Sequence, residues 1–203
     1  DEPFSMTDKS GKYALNLPMS KFDKNKDGKL DLVDGVLVSA GGIDTATGIQ
    51  MKNNLVTTPN SLVINPLTTL VYHCLKENPD WSESDAMQGV ASALQIPVSI
   101  DILQYDYLKE IHSGNTFALI PMTASVTLQN TVNMVGTILS ENESNISSDI
   151  FDSVFDAIAR NTIRGQEAGL EKKSKIASLL GSLSATHKVE IDENLLSLSS
   201  KLI

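Results

Sequence analysis

Between Phe22 and Gly35 the chain reads FDKNKDGKLDLVDG, with oxygen-bearing side chains at regular intervals. Counted from Asp23, the loop places Asp23, Asn25 and Asp27 at positions 1, 3 and 5, Gly28 at 6, Lys29 at 7, Asp31 at 9 and Asp34 at 12. That is the ligand register of an EF-hand loop. Calcium takes roughly six to eight oxygens at about 2.3 to 2.6 Å, so a tight loop must turn alternate side chains inward, lend a main-chain carbonyl at position 7 and bend sharply at a glycine. Asp34 departs from the usual bidentate glutamate at position 12, and its shorter reach predicts a weaker site or a tighter backbone. The same residues also describe a solvated turn, because Lys24, Lys26 and Lys29 are what a plain polar loop carries.

The flanks bear on what calcium would do there. A sensor loop needs an amphipathic helix on each side, so that the ion can change the angle between them. Upstream, Tyr13, Leu15 and Leu17 alternate with smaller or polar residues, the pattern of a half-buried strand, until Pro18 interrupts it. Downstream, Val36, Leu37 and Val38 form a short apolar run ahead of Gly41 and Gly42, where a strand is expected. A loop joining strands points to a structural ion rather than a switch. Within GGIDTATG, Asp44, Thr45 and Thr47 offer further oxygens, either to the same or a second ion or to a glycine turn closed by Asp44 itself. Asp8, in TDKSGKY, reads as part of a hairpin turn with Gly11 at its positive-φ position.

Beyond residue 60 helical periodicity takes over. Asn65 and Pro66 are a cap and a first helical residue for the stripe Leu67, Leu70, Val71, Cys74 and Leu75. A second helix starts at Ser82 or Ser84, turns Met87, Val90 and Leu94 inward and stops before Pro97, and a short helix or turn spans Asp106 to Ile111. From Asn115 to Ser140 no charged residue occurs, yet threonines and asparagines punctuate the segment, so it is expected as the central helix of a soluble bundle rather than a membrane span. Ile150, Phe151, Val154, Phe155 and Ile158 face one way with Asp152 and Asp156 opposite, Ile176 to Leu183 mark a further helix, and Leu195, Leu198 and Leu202 a last one. The expectation is a mainly α (α+β) chain: a small β-rich calcium-binding part over residues 1–60 and a bundle of about six helices over 61–203.

Composition narrows the function. The 203 residues carry a net charge of -9, and the lack of Lys and Arg clusters beyond Lys172, Lys173 and Lys175 argues against nucleic acid and anionic membrane partners. The lone Cys74 excludes an internal disulfide and is expected as a small buried group. His73, His112 and His187 show no paired spacing for a transition metal or a catalytic centre, and nothing resembles a nucleophile elbow, a phosphate loop or a paired-carboxylate cleft, so no enzyme is expected. Asn142 and Asn145 match the glycosylation triplet, which arises readily by chance. The start at Asp1-Glu2-Pro3, without Met or signal peptide, suggests a processed product or a fragment.

The opening DEPFSMTDKSGKYALNLPMSKFDKNKDGKLD, then VLVSAGGIDTATG and SLVINPLTTLV, together resemble a module of large exported bacterial surface proteins of the adhesin type, in cyanobacteria among others. There an element of the form D-x-N-x-x-x-D-x-x-E-P precedes T-D-x-x-G-x-Y-x-L, a dockerin- or EF-hand-like Asp-rich loop, a G-G-x-D-x-x-T-G turn and a P-L-T-T-L helix. The resemblance covers about residues 1 to 75; the remainder shares only periodicity. It implies calcium held by Asp23, Asn25, Asp27, the Lys29 carbonyl and Asp34, with Asp44 as an extra ligand. The Asp/Asn-rich element expected ahead of Glu2-Pro3 is absent. The strand it would pair with residues 12–17 is therefore missing or supplied by a neighbouring chain, and Asp1 and Glu2 would be remnants of a second site. The function implied is a non-catalytic, extracellular or cell-surface calcium module for adhesion, surface-layer or fibre assembly, with protein partners or self-association. Two other readings stand beside it: a calcium-responsive protein that binds a partner helix, polysaccharide or small molecule, and an accessory domain of a secreted hydrolase.

Overall fold

The computed structural model describes residues 2–43, 50–140 and 148–187. The chain is mainly helical with one small sheet. A single helical turn, α1 (Met19–Phe22), precedes the Asp-rich loop; β1 (Leu37–Ser39) and β2 (Leu55–Thr57) follow it; then come α2 (Pro66–Glu77), α3 (Glu83–Ala93), α4 (Tyr107–His112), a 3-10 turn (Thr116–Ala118), α5 (Leu119–Ser140), α6 (Ser148–Ile163) and α7 (Lys173–His187).

The sequence INPLTTL explains how α2 begins and what it holds. Asn65 Oδ1 accepts the N–H groups of Leu67 and Thr68 at 2.9 and 3.1 Å, and Thr68 Oγ1 accepts the Asn65 N–H, so the first-turn donors that a helix leaves open are satisfied reciprocally. Thr69 does a different job. Its Oγ1 accepts the Val56 N–H at 3.0 Å and ties β2 to the helix. β1 and β2 pair antiparallel, with Leu37 opposite Thr57 and Ser39 opposite Leu55. Period-2 alternation then buries Leu37, Leu55 and Thr57 and leaves Val38 outward.

α2 is the centre of the helical core, packed by α3, α5, α6 and β2. The uncharged α5 also packs widely, on α2, α4, α6, α7 and the 3-10 turn, while keeping a solvent-facing stripe. Its polar residues do bond to neighbours, as Gln129 Nε2 donates to Asn53 Oδ1 and Lys52 Nζ to Thr137 Oγ1. Among the described residues no helix is long and apolar enough to cross a membrane. Phe151 and Phe155 of α6 are fully buried, and Gly136 of α5 lets the Phe151 ring approach its backbone: a methyl group there would lie 2.6 Å from a ring carbon.

Two further expectations change. Residues 12–17 form no strand, although Tyr13, Leu15 and Leu17 are half-buried and alternate with exposed neighbours; no partner strand is hydrogen-bonded to them among the described residues. Asp156, expected opposite the α6 apolar stripe, turns its carboxylate to α2 and meets His73 and Lys76. The expected last helix at Leu195, Leu198 and Leu202 lies outside the described residues, as do Asn142 and Asn145.

Candidate metal site

The Asp-rich loop folds around its own carboxylates. Asp23 accepts the N–H of Asp27 on Oδ1 at 3.2 Å and that of Gly28 on Oδ2 at 2.9 Å, so position 1 gathers the amides of positions 5 and 6. Asn25 Oδ1 also accepts from the Asp27 N–H, and Asp27 Oδ1 accepts from Lys29 N–H at 2.9 Å. This reversal needs left-handed backbone. Gly28 supplies it at φ +83° without steric cost, while Lys26 at φ +60° adopts it with a side chain. Gly28 is thus the sharp-turn residue that the spacing assigned to position 6.

Position 12 closes the loop. Asp34 is only 6 % exposed, and its Oδ1 and Oδ2 accept the N–H groups of Lys24 and Asp31 at 2.7 and 3.1 Å. The Asp31 amide, then that of Lys24, outweighs the cost of burial and holds the Asp34 carboxyl below its ordinary range. Asp31 is itself fixed, its Oδ1 accepting from Val33 N–H at 2.9 Å. The backbone thus closes in on the Asp34 carboxylate from both ends of the loop.

Each of these carboxylate oxygens retains a lone pair beyond the backbone bond it accepts. Among the described residues, no lysine or arginine forms an ion pair with Asp23, Asp27, Asp31 or Asp34, in spite of Lys24, Lys26 and Lys29 nearby. The donor chemistry is therefore hard, anionic and oxygen-only, which suits calcium better than a transition metal. Among the described residues no three His, Cys, Asp or Glu side chains stand converged as a ligand group. Asn25 and the Lys29 carbonyl are neutral donors outside that set, and like-charged carboxylates converge only against a cation. Asp44 lies outside the described residues.

The loop also reaches the rest of the molecule. Leu32, between Asp31 and Asp34, packs against the helical core. Fixing the loop therefore fixes one of the points where the N-terminal part meets the helices, beside the Val56–Thr69 and Asn53–Gln129 bonds. Asp8 is used locally: its Oδ1 accepts the N–H groups of Ser10 and Lys12, closing the turn at Gly11 (φ +74°).

A second polar cluster escaped sequence reasoning. His73 Nδ1 stands 2.6 Å from Asp156 Oδ1, Lys76 Nζ lies 3.1 Å from Asp156 Oδ2, and the His73 ring stacks on Phe155. Burial pushes the Asp156 carboxyl upward, but the hydrogen bonds and charge of His73 and Lys76 outweigh it and hold the group below its usual value. Asp152, one turn away, is pushed up by burial. This cluster carries two members of a hydrolytic triad without the third, since His73 Nε2 is buried and has no hydrogen-bond partner among the described residues. The Cys74 thiol is fully buried and pushed up to about 12 by desolvation, which makes it inert as a nucleophile.

Two concavities among the described residues are small. One of about 70 Å³ lies between α6 and α7 beside Ile158 and Leu179, and one of about 230 Å³ lies beside Met87 and Val98; both fall below the roughly 300 to 1,000 Å³ of small-molecule pockets. Comparison with protein-family models, with curated proteins and with solved structures finds no match for this chain.

Proposed function

We propose that this chain is a non-catalytic, calcium-stabilised structural module of a bacterial cell-surface or extracellular protein, serving adhesion, surface-layer or fibre assembly. In it a calcium-bearing N-terminal part is stapled to a bundle of about six helices. The observation that carries this reading is the loop itself. Four carboxylates and an asparagine fall in calcium register, the backbone wraps onto their oxygens, and none of the four acids is closed by an ion pair among the described residues. Asp23, Asn25, Asp27, the Lys29 carbonyl and Asp34 would hold the ion, with Asp31 reaching it directly or through water and Asp44 a further ligand. The staple reading, against a switch, is supported by the flanks: one helical turn precedes the loop and β1 follows it, so no helix pair is available to open.

The N-terminal arm supports an assembly role. Phe4 and Met6 are 87 % and 84 % exposed, and the backbone of residues 3–7 and 13–17 makes no main-chain hydrogen bond to another segment among the described residues. An extended segment of this kind pairs readily with a strand of another chain, and strand addition is the mode of self-association proposed.

Calorimetric titration tests the ligand assignment. Calcium is expected to bind with a Kd of about 10⁻⁴ to 10⁻³ M, the range of extracellular modules, and magnesium much more weakly because it demands a smaller octahedral cage. The double substitution Asp23→Ala with Asp27→Ala is expected to abolish the calcium heat. Calcium binding that survives in that variant would move the site elsewhere in the chain.

A further inference from the structure

The small sheet has one edge that the helices close and one that they leave open. On β2 the Val56 N–H donates to Thr69 Oγ1 of α2, so Val56 turns its main-chain groups away from β1. Val38 stands opposite Val56 in the antiparallel register. In such a pair both residues direct N–H and C=O outward, while the flanking pairs, Leu37 with Thr57 and Ser39 with Leu55, exchange the bonds that join the strands. The Val38 N–H and C=O therefore point to the far side of β1, where no third strand pairs with it and neither group meets a hydrogen-bond partner among the described residues.

The side chains of this edge are apolar as well. Val36, Val38 and Ala40 are exposed and alternate with the inward Leu37 and Ser39, Val36 and Val38 at 39 % and 51 % exposure. Open strand edges are ordinarily guarded by lysine, proline, an inward charge or a bulge. From Gly35 to Ile43 there is no charged residue and no proline, and the register of β1 on β2 runs through without a bulge. Its shortness is the guard that remains. We infer that two copies of this chain pair through β1, antiparallel about a two-fold axis at Val38, and so join their sheets into one.

Self-complementarity selects a second copy over an unlike strand. About that axis Val38 and its counterpart exchange both main-chain bonds, and Val36 of each copy falls opposite Ala40 of the other, so the outward groups of the edge meet their own match. Charge points the same way. Each copy carries a net charge of -9, and the uncharged run from Gly35 to Ile43 is where two of them approach without like charges facing each other. The pairing is separate from the strand addition proposed for the N-terminal arm, and it closes a pair where addition by the arm propagates. An edge this short makes a weak contact, which suffices where copies are held close together.

Disulfide trapping on the full chain tests both the pairing and its register, since Cys74 is fully buried and out of reach. At a hydrogen-bonded antiparallel pair the Cα atoms stand about 5.5 Å apart, within disulfide range, so Val38→Cys is expected to form a covalent dimer under mild oxidation. Val36→Cys lies roughly 13 Å along the strands from its counterpart and is expected to stay monomeric. Without cross-linking, sedimentation equilibrium is expected to show the average mass of the wild type rising toward twofold between about 10 μM and about 1 mM, the weak range of a small interface. Val38→Lys, which sets like charges opposite each other at an exposed position, is expected to remain monomeric with wild-type circular dichroism. Equal cross-linking of the two cysteine variants, or a wild type that stays monomeric throughout, would overturn the inference. Association that Val38→Lys leaves intact and Phe4→Asp with Met6→Asp abolishes would overturn it in favour of the arm.

Discussion

Replacing Gly136 by alanine is expected to destabilise the protein by about 2 kcal/mol, whereas the same replacement at Gly181 is expected to stabilise it by about 0.5 to 1 kcal/mol. Both glycines lie inside helices, where alanine is favoured by about 1 kcal/mol over glycine. Their surroundings differ. A Cβ on Gly181 meets nothing within 4 Å, but one on Gly136 would stand 2.6 and 2.7 Å from two ring carbons of Phe151. Phe151 is 0 % exposed and cannot swing away, so α5 and α6 must separate, an overpacking cost of about 3 kcal/mol that outweighs the helix gain. Phe151→Ala removes the ring altogether and is expected to cost about 3 to 5 kcal/mol. Thermal unfolding reads all three; in a chain of this size about 1 kcal/mol moves Tm by roughly 2 to 4 °C. Because the two residues touch, Gly136→Ala combined with Phe151→Leu is expected to cost less than the sum of the single changes. A Gly136→Ala variant as stable as the wild type would contradict the close approach of these helices.

The second large effect lies at Asp156. Asp156→Ala strips His73 of its partner in a site where the His73 side chain is 2 % exposed, and leaves Lys76 without its carboxylate. An orphaned buried polar group costs about 1 to 3 kcal/mol, and about 2 to 3 kcal/mol is expected here, near 5 to 10 °C in Tm. The pH dependence follows from the direction of the Asp156 shift. Its folded pKa lies below the ordinary 3.8, so the stabilisation is fully present above that value and is lost as pH falls through the lowered one. The gap between wild type and Asp156→Ala is therefore expected to stay open down to about pH 4 and to close only in stronger acid, as followed by urea unfolding at successive pH values. A gap that closes well above pH 4 would mean that Asp156 is not held ionised by His73 and Lys76.

These two sites mark the boundary of what the sequence makes legible. Local signals were sufficient where structure is local: Asn65 and Pro66 start α2, Ser82 starts α3, and the α6 apolar spacing identifies its buried face. The tight turn at Gly28 and the loop-closing place of Asp34 were also readable, because both are set within twelve consecutive residues. The His73–Asp156 pair joins positions 83 residues apart, and neither residue carries a local mark of the other. Asp156 was placed only as lying opposite the apolar stripe; that a buried histidine and a lysine of α2 meet it there has no local sign. Gly136 sits in an unremarkable uncharged run, and only the position of Phe151 gives it a role. The strand expected at residues 12–17 failed for the reverse reason: the alternation was read correctly, but a strand needs a hydrogen-bonded partner, and none is present among the described residues.

Calcium is expected to hold the N-terminal part against the helices. Leu32 is the link that the loop itself provides, since it packs on the helical core from within the loop that Asp34 closes. An ion bound only by the folded chain must stabilise it, by about 2.7 kcal/mol when its free concentration is a hundredfold above Kd. The deciding measurement is thermal unfolding by circular dichroism in excess calcium and in chelator, on the wild type and on Asp23→Ala with Asp27→Ala. The expected result is a Tm higher by roughly 5 to 10 °C in calcium, helical content unchanged between the two conditions, and no shift in the double variant. An unaltered Tm in the wild type, or an equal rise in the variant, would contradict the claim that this loop is a calcium staple.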